Sequence, residues 1–333
     1  MNELQVGLGE RSYPISIEAD CLKRVAGELA RNYPASRYCI IADDTVAGLY
    51  GGELLASLEK EGLKADLLSF AHGEEHKNLA TVSQLLSEAA RRRVDRKSMF
   101  IALGGGVSGD VAGFVAATYM RGVPFIQIPT SLLAQVDSSV GGKTGVDLPE
   151  GKNLVGAFCQ PLAVFIDPEV LRTLPQKQYI NGMAEVIKHG IIRDGGYFQL
   201  LADKRRQVME LDPRTLQEMI FISCRIKAKV VGEDEKETDI RRILNFGHTI
   251  GHAVEAASEF GIAHGFAVAI GMVAAARLSQ MKGVLAADKV ETIAALLKQY
   301  GLPTEIPGDL DRRRIKSYLL TDKKRVGTRT SYV

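Results

Sequence analysis

The chain has 333 residues, a length that suggests two domains at roughly 100–200 residues each. Hydrophobic residues make up 46% and charged residues 25%, which excludes a disordered or fibrous chain. Its 42 basic and 40 acidic residues leave a net charge of +2, so no charge excess points to nucleic acid or an anionic membrane as partner.

The run 1–5 has neither a basic nor an apolar leader pattern, and the longest apolar stretch, near 265–276, is shorter than the ~20 residues of a membrane span. A cytoplasmic protein is expected. Cys21, Cys39, Cys159 and Cys224 are widely spaced, which excludes a zinc ribbon and implies no disulfide framework. They read as buried small hydrophobes.

In chain order, β-rich runs fall at 13–17, 38–42, 67–70, 98–103, 125–128 and 163–166, with helical periods between them at 21–31, 52–61 and 79–93. Strands alternating with helices predict a parallel α/β sheet. After Pro175 the strand pattern stops, and helices are expected at 178–192, 197–209, 215–231, 241–258, 265–282 and 287–300. The expected fold class is α/β: a Rossmann-like parallel-sheet domain over 1–175 and an all-helical domain over 176–333.

Gly104, Gly106 and Gly109 satisfy G-x-G-x-x-G between a strand and a helix. No acidic residue follows about 20 positions later to take a ribose, so the pattern fits either a nucleotide cradle or a tight strand–helix turn. A P-loop at Gly141-Gly142-Lys143-Thr144 is excluded, because position 137 is aspartate where glycine is required. Lys143 and Lys152 nevertheless both sit on glycine turns, which favours an anion.

Histidine carries the sharpest signal. Three of the six histidines, His248, His252 and His264, fall in one 17-residue window. On a helix at about 100° per residue, Arg241, Asn245, His248 and His252 form one stripe on an otherwise apolar cylinder. Burying unpaired polar groups costs on the order of 1–3 kcal/mol each, so a ligand or metal is expected there. Spacing alone names His248 and His252 as the ligand pair. Glu185 and Lys188, at i and i+3, read either as a carboxylate donor with its neighbour or as a local surface ion pair.

Taken together, the runs 129–145 (Pro-Thr-Ser-Leu-Leu-Ala-Gln-Val-Asp-Ser-Ser-Val-Gly-Gly-Lys-Thr-Gly), 181–190 (Asn-Gly-Met-Ala-Glu-Val-Ile-Lys-His-Gly), 244–253 (Leu-Asn-Phe-Gly-His-Thr-Ile-Gly-His-Ala) and 264–272 (His-Gly-Phe-Ala-Val-Ala-Ile-Gly-Met) resemble the 3-dehydroquinate synthases, a family of sugar-phosphate cyclases. The likeness runs from about Tyr38 to Lys324. It implies an NAD-bound α/β domain, a helical domain with one divalent metal (Zn or Co), a phosphorylated keto acid substrate in the cleft, and a homodimer. It makes Glu185, His248 and His264 the metal ligands, which moves His252 off the metal.

The resemblance further implies catalytic roles for His252, Lys188, Glu237 and Asn245. Substrate contacts are implied for Arg121, Asp137, Lys143, Asn153, Lys188, Lys227, Arg241, Asn245 and His252. NAD contacts are implied for Gly73, Glu74, Lys77, Gly105, Gly106, Gly109, Asp110, Thr130, Ser131, Lys143, Lys152 and Thr173. Ser131 replaces a more usual threonine and keeps the hydroxyl. A further substrate lysine is expected at Lys323 or Lys324. The competing readings are another sugar-phosphate cyclase, a metal-dependent alcohol or glycerol dehydrogenase, and an inactive nucleotide-binding regulator.

Overall fold

The computed structural model describes residues 2–259, 261–321, 325–326 and 329–330. They divide into two compact units, Met1–Leu174 with Leu216–Gly232, and Pro175–Thr215 with Glu233–Val333. Lys323 and Lys324 lie outside the described residues.

The first unit contains β1 (Asn2–Val6), β2 (Tyr13–Ile17), α1 (Val25–Asn32), β3 (Tyr38–Asp43), α2 (Asp44–Val46), α3 (Gly52–Lys60), β4 (Ala65–Phe70), α4 (Leu79–Arg91), β5 (Met99–Gly104), α5 (Gly106–Thr118), β6 (Phe125–Pro129), β7 (Lys143–Leu148), β8 (Gly151–Phe158) and β9 (Val164–Ile166). Seven strands form one sheet in the order β1-β2-β9-β6-β5-β3-β4. Every pairing in it is parallel except β1 with β2. The central strands β5 and β6 are buried at every position, as strands covered on both faces must be, and that is why they read as continuous apolar runs. β7 and β8 form a separate antiparallel hairpin that the apolar pattern did not reveal.

The second unit contains α6 (Gln176–Arg193), α7 (Gly195–Asp203), α8 (Arg205–Met209), α10 (His248–Ala257), α11 (His264–Met281), α12 (Ala287–Gln299) and α13 (Arg312–Thr321), with α9 (Pro213–Glu233) passing between the units in sequence. Two short strands, β10 (Arg325–Val326) and β11 (Arg329–Thr330), pair antiparallel, so this region is not wholly helical. The segment 216–232, expected with the helical domain, belongs instead to the first unit. Its buried Leu216, Met219, Ile220 and Cys224 form an apolar face, and Gln217 donates to the Ile17 carbonyl at 2.9 Å.

The helix expected over 241–258 is broken. Residues Ile240–Asn245 form a 3-10 turn, and Gly247, at φ +80°, ends it before α10 begins at His248. Arg241 and Asn245 therefore do not continue the helical stripe of His248 and His252. Close contact explains the break, because a Cβ on Gly271 of α11 would lie 1.9 Å from the Gly247 carbonyl oxygen. α11 is buried on most sides through Val268, Ile270, Met272 and Val273, each worth roughly 1.5–3 kcal/mol. Among the described residues no helix is long and apolar enough to cross a membrane. Cys21, Cys39 and Cys224 are buried free thiols, and Cys159 is half-buried.

Candidate functional site

In the first unit, the glycine turn leaves β5 and opens α5. Gly104 has φ +149°, and a Cβ there would sit 2.4 Å from Ser108 Oγ, so the turn requires glycine. Gly105 caps α5 without a side-chain hydrogen bond, leaving the helix N-terminus open to an anion. Thr130 follows β6 beside this turn, and its amide donates to the Gly104 carbonyl at 2.9 Å. Ser131 Oγ accepts from the Ala134 amide at 3.3 Å. An acidic side chain reaches this turn from upstream: Asp43 ends β3, the strand beside β5, and accepts from Ser108 Oγ at 3.0 Å. A sequence search at a fixed forward distance could not find it.

Beyond the turn, charges meet in pairs. Lys77, buried, lies 2.6 Å from Asp110 and donates to Asn153 Oδ1 at 2.6 Å. Burial works against its charge, but Asp110 and Glu74 outweigh burial and raise its pKa. Lys152 lies 3.3 Å from Glu74, near Gly73. Asn153 takes φ +52° and its amide donates to Asp147 Oδ1 at 2.7 Å. Lys227 of α9 donates to the Asp137 carbonyl at 2.6 Å and to its carboxylate at 2.5 Å. Lys143 is exposed at the start of β7. Arg121 is exposed after α5 at φ +69°. Thr173 pairs with the Tyr50 hydroxyl at 2.5 Å, away from the glycine turn in sequence.

The second unit carries a different arrangement. Glu185 on α6 is 0% exposed, and neither of its oxygens accepts a hydrogen bond among the described residues. Lys188, one turn on and 1% exposed, sets its ammonium against Oε2, so the surface ion pair is excluded and the buried donor remains. Oε1 faces His248 Nε2 at 3.6 Å and His264 Nε2 at 3.9 Å. The three candidate donor atoms lie within 4.8 Å of one another. One carboxylate with two imidazoles is a donor set suited to zinc or a similar divalent ion.

Backbone docking supports this cluster. Asn181, four residues before Glu185 on α6, accepts from the Gly265 amide through Oδ1 at 2.7 Å and so fixes the start of α11 beside α6. Burial disfavours a charged His264, but Glu255 and then Glu185 outweigh it and raise the pKa. His252 is exposed, with its ring 5.2 Å from that of His248 and 5.8 Å from that of His264. It groups with Glu255 and His264 rather than with Glu185. In the preceding turn, Glu237 accepts from Asn245 Nδ2, and Arg241 donates to the Glu235 carbonyl. Asp234 holds this turn by accepting from the amides of Thr238 at 2.9 Å, Asp239 at 2.7 Å and Arg241 at 3.2 Å. Sequence reasoning missed Asp234 and Glu255, since neither carries a motif of its own, and gave no role to Asn181 at the head of the run 181–190.

Known proteins resemble this chain over nearly its whole length. Residues 67–181 match the family described as 3-dehydroquinate synthase N-terminal, and residues 182–325 the one described as 3-dehydroquinate synthase C-terminal. A 3-dehydroquinate synthase of Pelobacter propionicus is 47% identical, over 97% of this chain and 90% of its own length. That of Symbiobacterium thermophilum is 46% identical, over 95% of this chain and 89% of its own length. Among solved structures, a 2-deoxy-scyllo-inosose synthase complexed with carbaglucose-6-phosphate, NAD+ and Co2+ has a TM-score of 0.89 at 32% identity, covering 97% of this chain and 88% of that one. The glycerol dehydrogenase of Schizosaccharomyces pombe, at 16% identity, TM-score 0.70, and 92% and 82% coverage, shares the fold alone. With near-complete coverage at this identity, the chain belongs to the 3-dehydroquinate synthase family.

Proposed function

We propose that the chain converts 3-deoxy-D-arabino-heptulosonate 7-phosphate to 3-dehydroquinate and phosphate, with NAD and one divalent ion (zinc or cobalt), as a cytoplasmic homodimer without nucleic-acid or membrane partners. The observation that carries this reading is the buried Glu185 carboxylate, whose Oε1 two imidazole nitrogens face. Glu185, His248 and His264 would hold the ion. The turn from Gly104 to Asp110 would hold the nucleotide pyrophosphate, with Asp43 as acceptor for a ribose hydroxyl. The domain assignment is an NAD-holding part before residue 175 and a metal-holding part after it, with 216–232 counted in the first.

When bound, NAD supplies reversible hydride acceptance and the ion supplies Lewis acidity, so no net oxidation accumulates. The chain's own residues bind and orient. Lys188, set against Glu185, is assigned to a substrate hydroxyl. His252, exposed beside the ligand pair, is assigned proton exchange at a substrate oxygen. Glu237 and Asn245, already bonded to each other, are assigned to substrate hydroxyls. Arg121, Lys143, Lys152, Asn153, Lys227 and Arg241 are assigned to the negative groups, since charged hydrogen bonds suit a carboxylate and a phosphate. The substrate's own phosphate serves as base for its elimination, which leaves the chain to hold it in place.

The test is phosphate release from this keto acid phosphate with NAD, with and without chelator. Release that needs the metal and leaves no NADH supports the reading. Net NADH formation from simple polyols would establish a dehydrogenase instead, and turnover only of a sugar phosphate lacking a carboxylate would establish another cyclase. Light scattering and cell fractionation test the dimer and its compartment.

A further inference from the structure

Glu255 has no part in the site as assigned so far. It lies on α10, three residues after His252, and is 4% exposed. A carboxylate in such a place needs a partner, and its Oε2 lies 3.4 Å from His264 Nδ1. An ionised carboxylate can only accept, so the ring nitrogen facing it must carry the hydrogen. The lone pair is then left on Nε2, which is the nitrogen turned toward Glu185.

His248 is arranged in the same sense by a different acceptor. Its Nδ1 lies 3.3 Å from the Phe246 carbonyl, and its Nε2 also faces Glu185 Oε1. Both imidazoles are therefore tied at Nδ1 and present Nε2 to one carboxylate oxygen. His264 has the greater need of such a tie. Its side chain is 30% exposed against 10% for His248, and it opens α11 after Ala263, which offers no side-chain cap.

We propose that Glu255 is a positioning residue for the metal centre: it fixes the tautomer and ring orientation of His264 and raises the basicity of its Nε2. Partners of this kind, one step removed from a metal, typically cost 10–100-fold in metal affinity when lost. The inference rests on the metal assignment made above. The alternative use of Glu255 is as a ligand of a second ion with His252 and His264, whose donor atoms are also close together. The two uses exclude each other, because Nδ1 cannot donate to Glu255 and coordinate an ion at once.

The experiment measures cobalt stoichiometry, cobalt affinity by chelator competition, and the cobalt absorption spectrum, on the full chain and on Glu255→Ala, Glu255→Gln and Glu185→Ala. One ion per chain is expected. Glu255→Ala should bind it about 10–100-fold more weakly with an altered cobalt spectrum. Glu255→Gln keeps a carbonyl acceptor for Nδ1, so it should recover most of the affinity, and it serves if the alanine variant fails to fold. Wild-type affinity and spectrum in Glu255→Ala, or unrecovered affinity in a folded Glu255→Gln, would overturn the positioning role. Two ions in the wild type, falling to one in Glu255→Ala, would overturn it in favour of a ligand. Full cobalt loading of Glu185→Ala would mean that the metal assignment itself has failed, a result separate from any of these.

Discussion

The two units solve different electrostatic problems. In the first, each basic candidate that is buried or half-buried already has an acidic neighbour: Lys77 with Asp110, Lys152 with Glu74, Lys227 with Asp137. In the second, the buried Glu185 turns one oxygen to Lys188 and leaves the other facing two imidazoles. In the proposed reading the first unit is a preformed cradle for an anion, and its side-chain pairs hold that cradle in shape. The second gathers one carboxylate and two imidazoles whose donor atoms lie within 4.8 Å of one another. Loss of one residue should accordingly disturb shape and nucleotide affinity in the first unit, and metal content in the second.

Several substitutions break or sharpen this contrast. The largest effect is expected for Glu185→Ala, with phosphate release falling roughly 1,000-fold, equivalent to the several kcal/mol of Lewis-acid stabilisation forfeited; NAD affinity, measured by calorimetry, should stay near wild type. Lys77→Met should lower unfolding stability by about 3 kcal/mol, because it strands the Asp110 carboxylate. Its metal content should not change, and a loss of metal there would erase the distinction between the units. Gly104→Ala should cost about 1–3 kcal/mol in denaturant melts, the usual scale of a residue forced into a conformation meant for glycine, and should weaken NAD further.

The smallest effect is expected at Asp234. Three backbone amides, those of Asp239, Thr238 and Arg241, hold its carboxyl well below the usual range. A depressed folded-state pKa means that the charged form is the one bound, so the order it gives the turn is complete above the unfolded value of about 4 and is lost as pH falls below it. Asp234→Ala should raise the substrate KM roughly five- to tenfold at neutral pH, because the turn carrying Glu237, Arg241 and Asn245 loses the carboxylate that its three amides hold. An unchanged KM would show that the turn holds itself.

Much of this was legible from the residues, for physical reasons that differ by region. The parallel strands were visible because burial on both faces forces long apolar runs, as at Phe100–Leu103. The hairpin of β7 and β8 was hidden, because its alternation is interrupted by the glycines and charges of 141–153. The end of helical periodicity at Gly247 was also hidden: nothing in 241–258 announces that α11 comes close enough to demand glycine there. His264 stands on a different helix from His248, so helical spacing could not join them. Only the resemblance did, and the fold brings both rings to Glu185.

The central claim, that the metal is held by Glu185, His248 and His264 with His252 beside it but not on it, is tested most directly by elemental analysis of two purified variants. His264→Ala should carry no bound ion. His252→Ala should carry the wild-type amount while turning over about 100-fold more slowly, the scale of a lost proton-transfer group. Full occupancy in His264→Ala, or equal loss of metal from both variants, would contradict the account.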